Sequence, residues 1–257
     1  MTFRSAAVGS TLFVVLGLAW WLAARIRLVE PFLLPPPAVV LDAAWGLAAD
    51  GTLARHVLVS LKRVVVGFTL AVLVAVPVAL VFGLSRGVRR VAEPPLEFLR
   101  QLPPLALVPL FILWLGIGEA QKVGIILFAS FFPVFLGVSG GIAGVDPKLV
   151  EVGRVCGLGR LAIARRIVLP AALPSLVIGL RIGLGYSWRA LVGAELVASS
   201  AGLGYLIVDA ENLARTDIVL VGVLVIGILG LAADHLARLA VRRAAPWIRD
   251  DAGLADA

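Results

Sequence analysis

Several long apolar runs constrain this sequence more than any other feature. A helix needs ~20 apolar residues to cross ~30 Å of hydrocarbon. Runs near that length recur at about 6–24, 64–84, 102–118, 123–143, 174–198 and 218–234. Hydrophobic residues make up 61% of the 257 residues and charged residues only 15%, which leaves too little polarity to cover a soluble domain of this size. The sequence therefore predicts an all-α membrane protein with six transmembrane helices.

Composition excludes several other kinds of protein. The net charge of +7 comes mostly from arginines, and in short loops these face anionic lipid, so no nucleic-acid partner is predicted. Cys156 is the only cysteine, which rules out an intramolecular disulfide. His56 and His235 are too few for a histidine-rich metal site, and no metal is predicted.

The distribution of basic residues predicts the orientation of the spans. With the N-terminus inside, the inner segments hold fourteen lysines and arginines and the outer segments seven. Basic residues are enriched in cytoplasmic loops. Both termini of this multi-pass membrane protein are therefore expected in the cytoplasm.

Prolines and glycines give more local predictions. Pro103, Pro104 and Pro109 should kink the third span, because each removes a backbone donor. The outer segment 25–56 contains "LLPPPAVV", which predicts an extended polyproline spacer. Pairs of glycines at small-xxx-small spacing favour close packing within one subunit over a dimer seam. These pairs are Gly137–Gly141, Gly140–Gly144 and Gly179–Gly183.

A polar stretch at 151–174, "EVGRVCGLGRLAIARRIVLPAALP", interrupts the apolar runs. Asp146 and Pro147 predict the start of a helix, and Gly157 predicts its end. Apolar residues on one face of that helix are Leu149, Val152 and Cys156. A second short helix, about 160–168, should end before Pro170. Pattern alone does not distinguish a docking surface for a soluble partner from an amphipathic segment resting on lipid.

The same stretch resembles the "EAA" loop of bacterial ABC-transporter permease subunits, E-A-A, three residues, G, nine residues, I-x-L-P. Residues at the matching positions are Glu151, Gly157, Ile167, Leu169 and Pro170. The chain departs from the pattern at Val152 and Gly153, which stand in place of the alanines.

The resemblance implies a type I ABC importer permease fold in a single domain, 1–257, located in a bacterial inner membrane. It implies a coupling loop at about 144–173, and the tail at about 250–257 is expected to be disordered. Residues implied in ATPase docking are Glu151, Gly153, Gly157, Arg160, Ile167, Leu169 and Pro170. Glu151 would anchor the ATPase; the alternative is a solvated carboxylate paired with a nearby arginine.

The implied partners are two ABC ATPase subunits, a periplasmic substrate-binding protein, a second permease copy and membrane lipid. ATP and Mg²⁺ would be used by the ATPase, with no cofactor on this chain. Three further stretches are similar to permeases for nitrate, sulfonate, taurine and bicarbonate: "FLLPPPAVV", "LRQLPPLALVPLFILWLGIGEAQKV" and "GLRIGLGYSWRALVGAELVASSAGLGYLI". The implied solute is therefore small and anionic.

Ionisable residues inside the fifth span mark a candidate translocation path. The candidate path residues are Tyr186, Trp188, Arg189 and Glu195. One hypothesis is that Arg189 lines a path for an anion. For Arg181 we expect snorkelling to the cytoplasmic face, and Glu195 has the alternative of pairing with another helix.

The sequence also bears on ATP binding and on two rival functions, a serine hydrolase and a secondary transporter. None of the three lysines has the glycine before it or the Ser/Thr after it that a Walker A motif requires, so ATP must be bound elsewhere if it drives transport. An intramembrane serine hydrolase built from Ser187 and His235 is disfavoured because the two residues lie at different depths. A secondary transporter would be expected to show inverted repeats, which are not evident.

Overall fold

The computed structural model describes residues 3–197 and 199–244. The α-helices are α1 (Phe3–Arg25), α2 (Pro37–Ala49), α3 (Thr52–Leu84), α4 (Arg86–Gln101), α5 (Val108–Leu115), α6 (Glu119–Ala143), α7 (Pro147–Val155), α8 (Arg160–Ile163), α9 (Leu169–Val197), α10 (Leu203–Asn212) and α11 (Thr216–Ala244). A 3-10 helix at Pro104–Leu107 precedes α5, and a π-helix at Ala164–Val168 joins α8 to α9. The all-α prediction is confirmed. The predicted disordered tail lies outside the described residues.

Within residues 3–197 and 199–244, four helices are long and apolar enough to cross a membrane: α3, α6, the continuous helix from α8 through α9, and α11. Helix α4 and the segment Pro104–Leu115 are long and apolar enough together to form a fifth span. This span would be broken, since its two pieces meet at a bend of 90°. Helix α1 covers the first predicted span, and its stretch Val14–Arg25 is apolar.

The predicted kink in the third span is present, and the helical part is shorter than the predicted stretch of about 102–118. The helical part runs from Pro104 to Leu115, and Gly116 ends it with a φ of 76°. Pro104 is the first residue of the 3-10 helix, and Pro109 is the second residue of α5. The N–H groups of these first-turn positions have no partner within the helix, so proline is tolerated there. The three prolines therefore divide this span into short pieces rather than bending one long helix.

Two outer segments hold helices that the sequence interpretation missed. The polyproline spacer extends only to Pro36, and Pro37 is the first residue of α2. Proline is well suited to that position because its fixed φ matches the helix. Helix α3 also begins at Thr52, twelve residues before the predicted span, and α10 occupies the segment after the fifth span.

The prediction that a second short helix ends before Pro170 was wrong. The chain continues without interruption from Arg160 to Val197. The backbone N–H of Leu169 donates to the Ala164 carbonyl, one residue further back than in an α-helix. This wider π turn immediately precedes Pro170 and accommodates the proline, which lacks the donor of a normal helical bond.

Helix α6 lies at the centre of the bundle, packed along α3 and α9. On α3, a stripe of small residues recurs every fourth position and faces inward: Gly67, Ala71, Ala75 and Ala79. A Cβ added to Gly67 would lie 2.6 Å from Cγ2 of Ile126 on α6. The stripe therefore allows the two helices to approach closely, as small residues do in membrane bundles.

On its other side, α6 meets α9 through glycines. A Cβ added to Gly179 of α9 would lie 2.8 Å from the Cα of Gly137 on α6. Gly141 and Gly183 also lie against the opposite helix, so close packing of these residues within one subunit is confirmed. Gly140 is different, because an added Cβ there would have no atom within 4 Å.

The Gly137–Gly179 contact predicts how two identical substitutions in α9 should differ. Gly179→Val should lower the free energy of unfolding by roughly 1–3 kcal/mol, because its side chain must displace backbone atoms of α6. Gly185→Val is the matched control, since a Cβ there has no atom within 4 Å. Thermal unfolding of both variants in detergent tests this, and equal losses of stability would contradict it.

Candidate functional site

The loop between α6 and α9 has the local geometry that its sequence predicts. The Asp146 side chain accepts a hydrogen bond from the Lys148 N–H at 2.9 Å, and Pro147 is the first residue of α7. Gly157 has a φ of 73°. The Leu158 N–H donates to the Gly153 carbonyl at 3.0 Å, which together with a bond from Gly157 forms a Schellman motif. The predicted start and stop of α7 are confirmed.

Helix α7 turns an apolar face away from the rest of the chain. The predicted face, Leu149, Val152 and Cys156, is exposed. The adjacent Val155 is 88% exposed and Leu161 in α8 is 83% exposed. Large apolar side chains concentrated in this way mark an interaction surface. We call Leu149, Val152, Val155 and Leu161 the loop face.

The opposite side of α7 packs through Gly153 against α8 and the π-helix, which lead into α9. This glycine is buried, and a Cβ added to it would lie 2.6 Å from Cδ1 of Ile167 and 3.2 Å from Cγ1 of Ile163. Glycine at this position, in place of the family's alanine, lets the two isoleucines sit directly against the α7 backbone. Leu169 is half-buried and Pro170 is exposed on the continuing helix.

Glu151 lines an open groove beside α7. The groove has a volume of about 1050 Å³, and its charged lining residues are Glu151, Arg154 and Arg160. Glu151 is exposed, and it makes no ion pair with any side chain that the structure describes. Its carboxylate is therefore available to a partner.

A second groove of about 570 Å³ follows the seam between α6 and α9. It is mostly apolar, with glycines where the helices touch and aromatic rings from Phe128 and Phe132. From Phe128 to Gly141 it extends along α6 for ~20 Å, at the 1.5 Å rise per residue of a helix. We call it the seam groove.

The four candidate path residues lie in different places. Tyr186 lines the seam groove, whereas the other three do not. Arg189 is exposed, with its guanidinium carbon 5.6 Å from the centre of the Tyr186 ring. Trp188 is buried, and its indole N–H donates to the Ile226 carbonyl at 3.1 Å. Arg181 does not simply snorkel, because its Nε donates to Asp234 on α11 at 2.7 Å.

Glu195 belongs to a buried polar network at the opposite end of the bundle from α7. Arg63 on α3 donates through Nη1 to Glu195 Oε1 at 2.7 Å and to the Ala201 carbonyl at 2.6 Å. Its other guanidinium nitrogens donate to Glu119 at the start of α6, with 2.8 Å between Nε and Oε2. Arg63 is 3% exposed, so it joins α3, α6 and α9 in a site with little access to solvent.

The same network holds the start of α10. Its first N–H groups donate to side chains of α3 and α9: Gly202 to His56 Nδ1 at 3.0 Å, Leu203 to Ser60 Oγ at 2.9 Å and Gly204 to Glu195 Oε2 at 2.8 Å. A carboxylate is favoured at the positive end of a helix. Gly202 has a φ of 119°, and a Cβ there would lie 2.3 Å from Glu195 Oε1. We call His56, Ser60, Arg63, Glu119, Glu195 and segment 199–204 the clasp.

The alternative that Glu195 pairs with another helix is confirmed, because Arg63 lies on α3. Sequence reasoning did not identify the partner or the rest of the clasp, although one signal was present. His56, Ser60 and Arg63 recur at i, i+4 and i+7, a polar stripe on one face of an otherwise apolar helix. The side chain of Arg100, which the sequence predicts in a cytoplasmic segment, lines the seam groove. Within residues 3–197 and 199–244, no three His, Cys, Asp or Glu side chains are placed to hold a metal ion.

Comparisons with known proteins agree with this architecture. Residues 67–246 match the family model described as "Binding-protein-dependent transport system inner membrane component". The chain is 38% identical over 238 residues to the taurine transport system permease protein of Escherichia coli, covering 91% of this chain and 86% of that protein. It is 35% identical to a putative aliphatic sulfonates transport permease protein of Bacillus subtilis, covering 93% and 87%.

A solved structure with a similar fold is that of an inward-facing MetNI methionine ABC transporter. The TM-score is 0.61 at 18% identity, and the match covers 75% of this chain and 97% of that one. At this level of identity the likeness concerns the fold alone. The expected type I importer permease fold is confirmed.

The clasp predicts unequal roles for its two carboxylates. Glu195→Ala should lower the free energy of unfolding by roughly 3–5 kcal/mol, because it leaves the buried Arg63 charge without its buried partner. Glu119→Ala should cost on the order of 1 kcal/mol, since the Glu119 side chain is 66% exposed and Arg63 keeps Glu195. Thermal unfolding in detergent measures both, and a larger loss in the Glu119 variant would refute the assignment.

Proposed function

The chain belongs to the family of binding-protein-dependent transport system inner membrane components, and from that premise we propose its solute class and the arrangement of its partners. It is a transmembrane permease subunit of an ABC importer and not an enzyme.

The proposed solute is a small sulfonate or a related small anion such as nitrate. The observation that carries this proposal is the similarity to taurine and aliphatic sulfonate permeases over more than nine tenths of the chain. Similarity of that extent includes the helices of the seam groove, along which we propose that the solute passes. A separate binding protein would make the first selection of the solute.

The loop face is the proposed docking surface for the ATPase. Its apolar side chains are exposed, and burying them against a partner would be favourable. Glu151 beside them makes no ion pair within the described chain. A basic group of the ATPase would pair with Glu151, while its apolar cleft would cover Val155 and Leu161. ATP and Mg²⁺ would bind the ATPase, of which two copies are expected, and no cofactor would bind this chain.

The complete importer would contain a second copy of this chain, with the translocation path between the two copies. The seam groove is open along one side, as a path completed by a partner copy requires. With both termini in the cytoplasm, the loop face lies on the cytoplasmic side of the inner membrane. The clasp then lies on the periplasmic side, where a substrate-binding protein would dock.

Transport would follow alternating access. Closure of the ATPase subunits around nucleotide would displace α7. The contact of Gly153 with Ile163 and Ile167 would pass that displacement to α9. Packed helices would then rock between inward-facing and outward-facing arrangements.

The docking proposal predicts that Glu151→Arg abolishes copurification of the ATPase subunit with the permease, because it places like charge against the basic group expected there. Glu93→Arg is the matched control, since Glu93 is an exposed carboxylate on α4. Affinity capture of the tagged permease followed by quantification of ATPase measures the effect. Full retention of ATPase in the Glu151 variant would contradict the assignment.

The solute proposal predicts uptake of radiolabelled taurine by proteoliposomes that contain the permease, the ATPase and the binding protein. Uptake should require ATP and the binding protein, and excess ethanesulfonate should reduce it. Methionine is the matched control solute and should not compete. ATP-dependent transport of another solute alone would refute the sulfonate class, and transport without ATP or ATPase would make the chain a secondary transporter.

A further inference from the structure

The seam groove contains few groups able to recognise a polar solute. Among its lining residues, the side chains with polar atoms are Arg100, Ser175 and Tyr186. The remaining lining residues are apolar or glycine. Arg100 is therefore the charged side chain of this groove, within the part of the chain that the structure describes.

Neighbouring charges do not line the groove. Arg189 stacks on Tyr186 but does not itself line the groove. Arg89, Glu93 and Glu97 instead line an adjoining cavity of about 180 Å³, which shares Leu136 and Gly140 with the seam groove. The positive charge of the groove wall therefore comes from Arg100.

Arg100 is held by a partner that is easily exchanged. Its Nη2 donates to Glu97 Oε2 at 2.6 Å, one turn earlier on α4. The two side chains are 39% and 49% exposed, and exposed pairs at this spacing contribute little to stability. Glu97 does not line the seam groove. Arg100 can therefore exchange this carboxylate for an anion in the groove at small cost.

We propose that Arg100 is the charge-selective residue of the translocation path and binds the sulfonate group of the passing solute. A planar guanidinium matches an oxyanion with two parallel N–H···O bonds. A cleft whose charged wall carries a single positive side chain attracts anions to its lining. Glu97 holds the guanidinium when no solute is present and is displaced by the solute. This inference rests on the proposed function, because it names a residue of the same path.

The test measures the charge of the groove directly, in membranes that contain the complete transport complex. Ile182 lines the groove and is 48% exposed, so Ile182→Cys provides a reporter thiol in a Cys156→Ser background. Two thiol reagents of similar size are compared: the anionic sulfonatoethyl and the cationic trimethylammonioethyl methanethiosulfonates. The ratio of their reaction rates cancels any change in the reactivity of the thiol itself.

The expected result is a fall of the anion-to-cation rate ratio by about ten-fold in Arg100→Gln, as loss of one nearby charge predicts at intermediate dielectric. Arg100→Lys should keep most of the ratio, because the charge remains. Glu97→Gln should raise the ratio, because it removes the competing carboxylate. Arg90→Gln is the matched control, since Arg90 is exposed on α4 and does not line the groove.

An unchanged ratio in Arg100→Gln would overturn the inference, as would a fall of similar size in Arg90→Gln. Should Arg100→Gln fail to assemble, Glu97→Gln still decides, because no rise in the ratio would also overturn it. A different result would refute the proposed function. Wild-type proteoliposomes without sulfonate uptake would refute the solute class, even where the ratio shows a positive groove.

Discussion

Contacts between small residues on both sides of α6 are the constraint on which the rest of this structure depends. In lipid, apolar surface gains little by leaving its surroundings, so helices associate through close packing and polar bonds. The stripe from Gly67 to Ala79 supplies that packing towards α3, and the Gly137–Gly179 contact supplies it towards α9. Larger side chains in these seams would separate the helices and displace every group that the bundle positions at its two ends.

The two ends of the bundle are held together by different kinds of interaction. At one end, the clasp joins α3, α6, α9 and α10 by charge-assisted hydrogen bonds around the buried Arg63. Such bonds are directional, and breaking them leaves a charge without a partner in an apolar site. At the other end, α7 packs on α8 and the π-helix through apolar contacts, among them those of Gly153 with Ile163 and Ile167. The clasp end is therefore held by directional polar bonds, and the loop end by apolar packing.

Local chemistry was predictable from the sequence, and long-range pairing was not. Asp146 and Gly157 fixed α7 because a helix cap and a left-handed glycine act within a few residues. The pairing of Arg63 with Glu195 joins residues 132 positions apart, and no local pattern identifies the partner of a buried charge. Pro170 led to a wrong prediction of a helix end. Proline usually ends a helix, but here a π turn accommodates it and the helix continues.

The geometry of α9 connects the two ends mechanically. From Ile163, which touches α7, to Glu195 in the clasp, the helix runs without a break for ~48 Å at 1.5 Å per residue. Gly179 lies midway, in backbone contact with Gly137. In the proposed alternating access, rocking of the helix about this contact would move its two ends in opposite directions. The π turn at Ala164–Val168 and Pro174 both lie on the α7 side of the contact, and both are features at which helices bend.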